Sequence, residues 1–248
     1  MLVEERFNAI LSLMNSKHCV TVAELTAMLN ISESTVRRDL TTLDEMGKLK
    51  KVHGGAVLGN ENSSKEYKPC AKELQNIEKK EPIARYAATL IHDDDCVFID
   101  AGTTTRKMLD YIDETHAVFV TNGLVHAQKL LQRGFKVYML GGEMKPSSQA
   151  AVGAEAIVNL KKYNFTKCFM GTNGISIDNG FTVSDMEEAL VKSEAISSAY
   201  VTFVLADSSK FEVVSSVTFA PINHACIITD HLPNPVYHDT AIVKEVLK

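Results

Sequence analysis

Two sets of side chains in this sequence have chemistry in them, and they lie in different halves of the chain. One is Asp100-Ala-Gly-Thr-Thr-Thr105, an acid followed by a glycine and three hydroxyls. It comes directly after the apolar run Cys96–Ile99 and before a helical pattern. A strand that ends in a small-residue loop and opens a helix presents free backbone N–H groups at the positive helix end, which suits a phosphate. Gly102, Thr103, Thr104 and Thr105 would form that cradle, and Asp100 would accept bonds from sugar hydroxyls. Alone, such a loop can be no more than a helix cap. Here it has company, because Thr121-Asn122-Gly123, Gly141-Gly142-Glu143, Gly171-Thr-Asn-Gly-Ile175 and Asp207-Ser-Ser-Lys210 each follow a further apolar run. Loops at the carboxyl ends of parallel strands converge on one crevice, where open α/β sheets bind ligands. Asn122, Gly141 and Lys210 are therefore candidate ligand contacts, Lys210 as the partner of an anion. Glu188 and Lys192 stand four apart on a predicted helix; they are either a surface ion pair or two more groups of the same crevice.

The other set is Ser34, Thr35, Arg37 and Arg38, with Lys48, Lys51 and His53 following. Arginine forks onto guanine edges, and hydroxyls bond bases or phosphates. Charge is sorted to match. Residues 1–58 carry seven basic and seven acidic side chains, whereas the remainder carries the whole net charge of −5. Within the neutral block, Ser34–Arg38 and residues 46–55 hold no acid. A neutral head with local basic spots can dock on DNA, and an acidic body discourages non-specific adhesion.

The elements that must position these groups follow from periodicity. Val3, Phe7, Ile10, Leu11 and Met14 mark a first helix ending at Ser16–His18. Thr21 and Glu24 have capping-box spacing for a second, with Leu25, Met28 and Leu29 on its buried side. Asn30 suits a left-handed turn, Ser32 caps a third helix, and Val36, Leu40 and Leu43 form its inner face up to Gly47. Lys48–Val52 and Ala56–Leu58 read as a hairpin around His53-Gly54-Gly55. Two helices joined by a tight turn and crossed by a third are the pattern of a helix-turn-helix, with the hairpin as a basic wing; a three-helix bundle whose charges are only solvated has the same spacing. Residues 59–80 are polar and read as a linker. From Pro82 a helix carries Ile83, Ala87, Leu90 and Ile91, and short strands recur at Cys96–Ile99, Val118–Val120, Lys136–Leu140, Lys167–Met170, Thr202–Leu205 and Ala225–Ile228. Strands alternating with helices predict an α/β domain with a mainly parallel sheet over 81–248.

Composition sets the outer bounds. With 45% apolar and 23% charged residues, a chain of 248 is ordinary globular material. No apolar run approaches the ~18 residues of a membrane span, and the start is not that of a secretory signal; the expected location is the cytoplasm, with no membrane partner. The five cysteines are scattered without zinc spacing, so reduced thiols are expected. His224, His231 and His238 recur every seven residues but no acid or thiol completes a ligand set. No dinucleotide fingerprint, Walker loop or metalloprotease motif is present; no metal, cofactor or catalytic residue is assigned.

Ser32-Glu-Ser-Thr-Val-Arg-Arg-Asp-Leu40, Leu43, Gly47 and Lys51-Val-His-Gly-Gly-Ala56 together resemble the winged helix-turn-helix of DeoR-type bacterial transcriptional regulators. The loops of the second half extend the resemblance over nearly the whole chain. It implies base reading by Ser34, Thr35, Arg37 and Arg38, and a sensor domain similar to sugar-phosphate isomerases that binds a phosphorylated sugar without turning it over. The effector contacts carried over are Asp100, Gly102–Thr105, Asn122, Gly141, Glu188, Lys192 and Lys210. Asn164–Ile175 and Gly180-Phe-Thr182 look most like fructose-operon repressors, which implies fructose 1-phosphate; tagatose 6-phosphate, as in lactose-operon repressors, is the competitor. Lys145 stands where the family often has Arg, Val183-Ser184-Asp185-Met186 replaces a proline-containing loop and so promises less preorganisation, and Asp94 replaces a turn glycine. The expected protein is a repressor binding double-stranded operator DNA as a dimer or tetramer. Two alternatives stay open: a sugar-phosphate isomerase-like enzyme with an accessory DNA-binding domain, and a DNA-binding protein whose second half only oligomerises.

Overall fold

The computed structural model describes residues 2–17, 19–52, 54–57 and 75–246. The chain forms two compact units, Met1–Ile77 and Glu78–Lys248.

In the first unit, α1 (Val3–Lys17), β1 (Cys19–Thr21), α2 (Val22–Leu29), α3 (Glu33–Glu45), β2 (Lys50–Val52) and β3 (Gly55–Val57) follow in order. Each boundary has a local cause. Thr21 accepts the Glu24 N–H while Glu24 reaches back to the Thr21 N–H, closing a capping box at the start of α2. Asn30 takes φ 51° at the other end and turns the chain. Ser32 accepts the Thr35 N–H at 3.3 Å to start α3, and Gly47, at φ 67°, ends it in a conformation that favours glycine. The strands pair antiparallel in the order β1-β3-β2. Ile10, Met14, Val20, Leu25, Val36, Leu40 and Leu43 are buried together. Met28, expected on the inner side of α2, is 48% exposed instead, because α2 is only eight residues long and its inward face is already filled by Leu25 and Leu29.

Helix α4 (Ile77–Ala88) starts at the last residue of the first unit and carries the chain into the second. The helix starts five residues before Pro82, and its first turn lies inside the stretch 59–80 read as linker. The Ile-Glu-Lys-Lys-Glu start gave no apolar signal, yet Lys80 is buried there. Leu90 and Ile91 lie beyond its end. Seven strands then form one sheet in the order β15-β14-β12-β9-β4-β5-β6: β4 (Cys96–Ile99), β5 (Val118–Thr121), β6 (Lys136–Met139), β9 (Phe165–Gly171), β12 (Ala199–Leu205), β14 (Cys226–Thr229) and β15 (Val243–Glu245). Every pairing in it is parallel. Beside the sheet, β7 (Glu143–Lys145) and β8 (Ala150–Val152) form a hairpin, and β10 (Gly174–Ser176), β11 (Gly180–Val183) and β13 (Val217–Ala220) form a small antiparallel sheet.

Helices cover both faces of the parallel sheet, as burying it requires. Alternation along β4 shows the division. Val97 and Ile99 pack with Ile83 and Ala87 of α4, Met108 of α5 (Thr103–Met108) and Leu130 of α6 (Leu124–Gln132). Phe98 packs to the other side with Leu160 of α7 (Ala154–Leu160) and Ala189 and Ala195 of α8 (Met186–Ser197). The chain winds outward from β4 through β5 to β6, then returns and winds the opposite way through β9, β12, β14 and β15. The topological switch therefore lies between β4 and β9.

Candidate functional site

On α3 the inner face is Val36, Asp39, Leu40 and Leu43, and the outer face carries the predicted DNA contacts. Ser34, Arg37 and Arg38 are exposed and Thr35 is partly so. Ser32, Ser34 and Thr35 share hydroxyl hydrogen bonds of 2.9 Å at the helix start. Arg37 pairs with Glu33 one turn back at 3.3 Å. The Arg38 guanidinium has no such partner among the described residues. Lys48 is exposed beyond the helix, and Lys51 on β2 donates to Thr41 Oγ1 at 2.5 Å, tying wing to helix. His53 lies outside the described residues. Arg6 was not singled out in the sequence, yet its Nε and Nη2 donate to the two oxygens of Asp39 at 2.7 and 3.0 Å. That fork holds α1 against α3, and the hydrogen bond to Asp39 raises the Arg6 pKa.

In the second unit the strand registers align the carboxyl ends: Ile99 pairs with Phe169 and Thr121 with Ile99, and Leu205 pairs with Gly171. Asp100, Asn122, Gly171 and the 206–210 loop thus lie along one edge. Asp100 and Lys192, 92 positions apart in the chain, form an ion pair in which each residue is only 5% exposed. The same Asp100 oxygen accepts the Gly171 N–H at 3.1 Å, and Lys192 donates to the Gly171 carbonyl at 3.0 Å. One acid at the end of β4 and one base on α8 thereby close across the switch point. The surface-pair reading of Glu188 and Lys192 fails on this side: Lys192 is buried, and its acid is Asp100. Glu188 is partly buried, one turn earlier on α8.

The Gly102–Thr105 loop is held from within. Thr105 Oγ1 lies 2.6 Å from the Asp100 carbonyl and 3.0 Å from the Gly102 N–H it accepts. His126 on α6 approaches from below, its Nε2 3.0 Å from the Gly102 carbonyl and 3.2 Å from Thr105 Oγ1. A carbonyl can only accept, so Nε2 carries the proton. Burial drives the His126 pKa down to about 4, against a smaller upward pull from Asp100, and keeps the ring neutral. A Cβ on Gly123 would stand 2.6 Å from His126 Nδ1, so only glycine leaves room for the ring. Asn122, 2% exposed, accepts the Ala101 N–H at 3.1 Å and donates to the Ala151 carbonyl at 3.3 Å, joining the loop after β4 to the β7–β8 hairpin. Thr103 is partly exposed and Thr104 buried. Gly141 is exposed after β6.

Lys210 ends a tight turn, Ser208–Lys210, in which its N–H bonds the Asp207 carbonyl at 2.9 Å. Its ammonium pairs with no acid among the described residues, unlike Lys145 and Lys192. The stretch 183–186 has two side-chain contacts of its own. Asp185 accepts the Glu188 N–H at 3.1 Å and pairs with Lys145, so the two departures from the family pattern meet each other and pin the start of α8. The hydrogen bond from Lys145 holds the Asp185 carboxyl below its usual range.

His126 and the Lys145–Asp185 pair escaped the sequence reading. A histidine three positions after Gly123 was the available signal for the first, and nothing in the sequence signalled the second. Among the described residues no group of acids, histidines and cysteines could hold a metal ion, and no helix is long and apolar enough to cross a membrane.

Two families match the chain: the DeoR-like helix-turn-helix domain over residues 6–62 and the DeoR C terminal sensor domain over residues 75–231. The uncharacterized HTH-type transcriptional regulator FruR of Bacillus subtilis is 41% identical over 99% of both chains. The lactose phosphotransferase system repressor of Streptococcus mutans is 35% identical over 92% of both. Ribose 5-phosphate isomerase A of Methanocaldococcus jannaschii superposes on 53% of each chain at 14% identity, with a TM-score of 0.41. With a family match over more than half its length and relatives that span it end to end, the chain belongs to the DeoR family of helix-turn-helix transcriptional regulators.

Proposed function

We propose that the protein represses a sugar-utilisation operon and that a phosphorylated sugar, fructose 1-phosphate, controls it. The observation that carries this reading is the Lys210 ammonium, which pairs with no acid among the described residues and lies at the same end of the sheet as the Asp100–Lys192 pair. A cation free to take an anion, beside a paired acid and base suited to hydroxyls, fits a ligand with a phosphate at one end and a polyol at the other. Asp100, Glu188 and Lys192 face the hydroxyls; Lys210 and the Gly102–Thr105 loop take the phosphate, with Asn122 and Gly141 shaping the wall. The full-length similarity to the regulator named FruR favours the fructose ester, and the similarity to lactose phosphotransferase repressors makes tagatose 6-phosphate the ester to test against it.

The first unit reads operator DNA in the cytoplasm, with α3 in the major groove and Ser34, Thr35, Arg37 and Arg38 toward the bases. Lys48, Lys51 and His53 meet the backbone. Two operator half-sites need two heads, so the working species is a homodimer or homotetramer joined through the second unit. The test is fluorescence anisotropy on labelled DNA from upstream of its own gene, at fixed salt with unrelated competitor. Fructose 1-phosphate, fructose 6-phosphate and tagatose 6-phosphate are then titrated in. A change in specific binding with fructose 1-phosphate alone supports the reading. Specific binding indifferent to all three sugars overturns the effector half of it.

A further inference from the structure

The chain enters the second unit at the first turn of α4, and that turn touches the loop that carries Lys210. Lys79 Nζ donates to Ser208 Oγ at 2.8 Å. Ser208 is itself clamped from the other side, since its N–H donates to Asp230 Oδ1 at 2.7 Å and its hydroxyl to Asp230 Oδ2 at 3.3 Å. A hydroxyl that donates to a carboxylate is the better acceptor for an ammonium, so the three groups strengthen one another. Ser209 and Lys210 both bond Asp207 through their N–H groups, so the turn is one hydrogen-bonded piece that includes Ser208. From Ile83 onward α4 is seated in the apolar core with Ala84 and Ala87. Of its first turn only Lys80 is buried among the described residues, and Lys79 ties that turn to the Ser208–Lys210 turn.

We propose that Lys79 couples occupancy of the crevice to the DNA-binding head, through its hydrogen bond to Ser208 in the turn that carries Lys210. This rests on the reading of Lys210 as an anion contact. An anion drawn onto Lys210 displaces the turn, the Lys79–Ser208 bond stretches or reforms, and the start of α4 follows. The covalent chain to the head begins there. Lys79 is a positioning residue in this scheme and contacts neither DNA nor ligand.

Full-length wild type, Lys79→Gln and Lys79→Arg are compared on the labelled upstream DNA, with and without saturating fructose 1-phosphate, fructose 6-phosphate or tagatose 6-phosphate. Binding of each sugar phosphate is measured separately by calorimetry. Wild type is expected to change its DNA affinity roughly 5- to 150-fold with its sugar phosphate, and Lys79→Gln by less than about twofold, with both separate affinities kept. Lys79→Arg, which keeps the cationic donor, should restore part of the response. Ser208→Ala gives the same loss from the other side of the bond and replaces Lys79→Gln if that variant melts early. A full response in Lys79→Gln overturns the proposal, as does a loss traced to weakened sugar-phosphate binding. Failure of the underlying reading is separate and visible earlier, since wild type itself then binds none of the three esters.

Discussion

Arg37 and Arg38 are neighbours on one helix, yet Glu33 engages the first and, among the described residues, no acid engages the second. A guanidinium already paired must break that contact to reach a base, so substitution of Arg38 is the more direct test of base reading. Arg38→Ala should lose about 1–3 kcal/mol of discrimination between operator and unrelated DNA, roughly 5- to 150-fold. Competition anisotropy measures it, and unchanged sugar-phosphate binding in calorimetry shows that the fold survives. Lys210 poses the matching question in the second unit. Lys210→Ala should weaken sugar-phosphate binding by about 1.5–3 kcal/mol, the worth of a charge-assisted hydrogen bond, and leave operator affinity in the absence of ligand as it was. A calorimetric titration equal to that of wild type would remove Lys210 from the site.

Between residue and fold stand the pieces that hold loops in place, and His126 is the one with a pH signature. Its ring is neutral in the folded protein down to about pH 4, whereas its ordinary pKa is 6.5. The unfolded chain takes up the proton first as pH falls. The stability this residue contributes is therefore complete above about pH 6.5 and is lost progressively toward pH 4, by about 3 kcal/mol in all. Urea unfolding between pH 7 and pH 4 should show His126→Gln with a shallower decline than wild type, and parallel curves would refute the neutral buried ring. Leu40 makes the corresponding case in the head. It is fully buried on α3, and Leu40→Ala should cost about 2–5 kcal/mol, read as loss of head structure in thermal melts.

For the whole molecule, the proposed pairing of copies has a direct measure. Two heads on half-sites one helical turn apart, about 34–36 Å, are what a dimer or tetramer provides. Sedimentation velocity of the full-length protein should find no monomer at micromolar concentration, and DNA carrying one half-site should bind far more weakly than DNA carrying both. A monomer with equal affinity for one and two half-sites would overturn the assembly.

The sequence by itself determined the elements and their edges wherever the cause is local. The capping box at Thr21 and Glu24, the left-handed Asn30, the Ser32 cap and the stop at Gly47 all act within a few residues, so their spacing is readable without a fold. The same holds for six of the strands, whose apolar runs announce a buried sheet. The β15 strand, Val-Lys-Glu at the sheet edge, carries no such run and was missed. The early start of α4 stayed hidden behind its charges, because burial of Lys80 depends on what lies over it. Only the tertiary structure decided which loops meet. The winding order of the strands put β4 beside β9 and so brought Asp100 to Lys192, made Asp185 the partner of Lys145, and set Lys79 against Ser208. Each of these pairs joins residues dozens of positions apart, and no local propensity encodes such a meeting; the packing of helices on a particular strand order does.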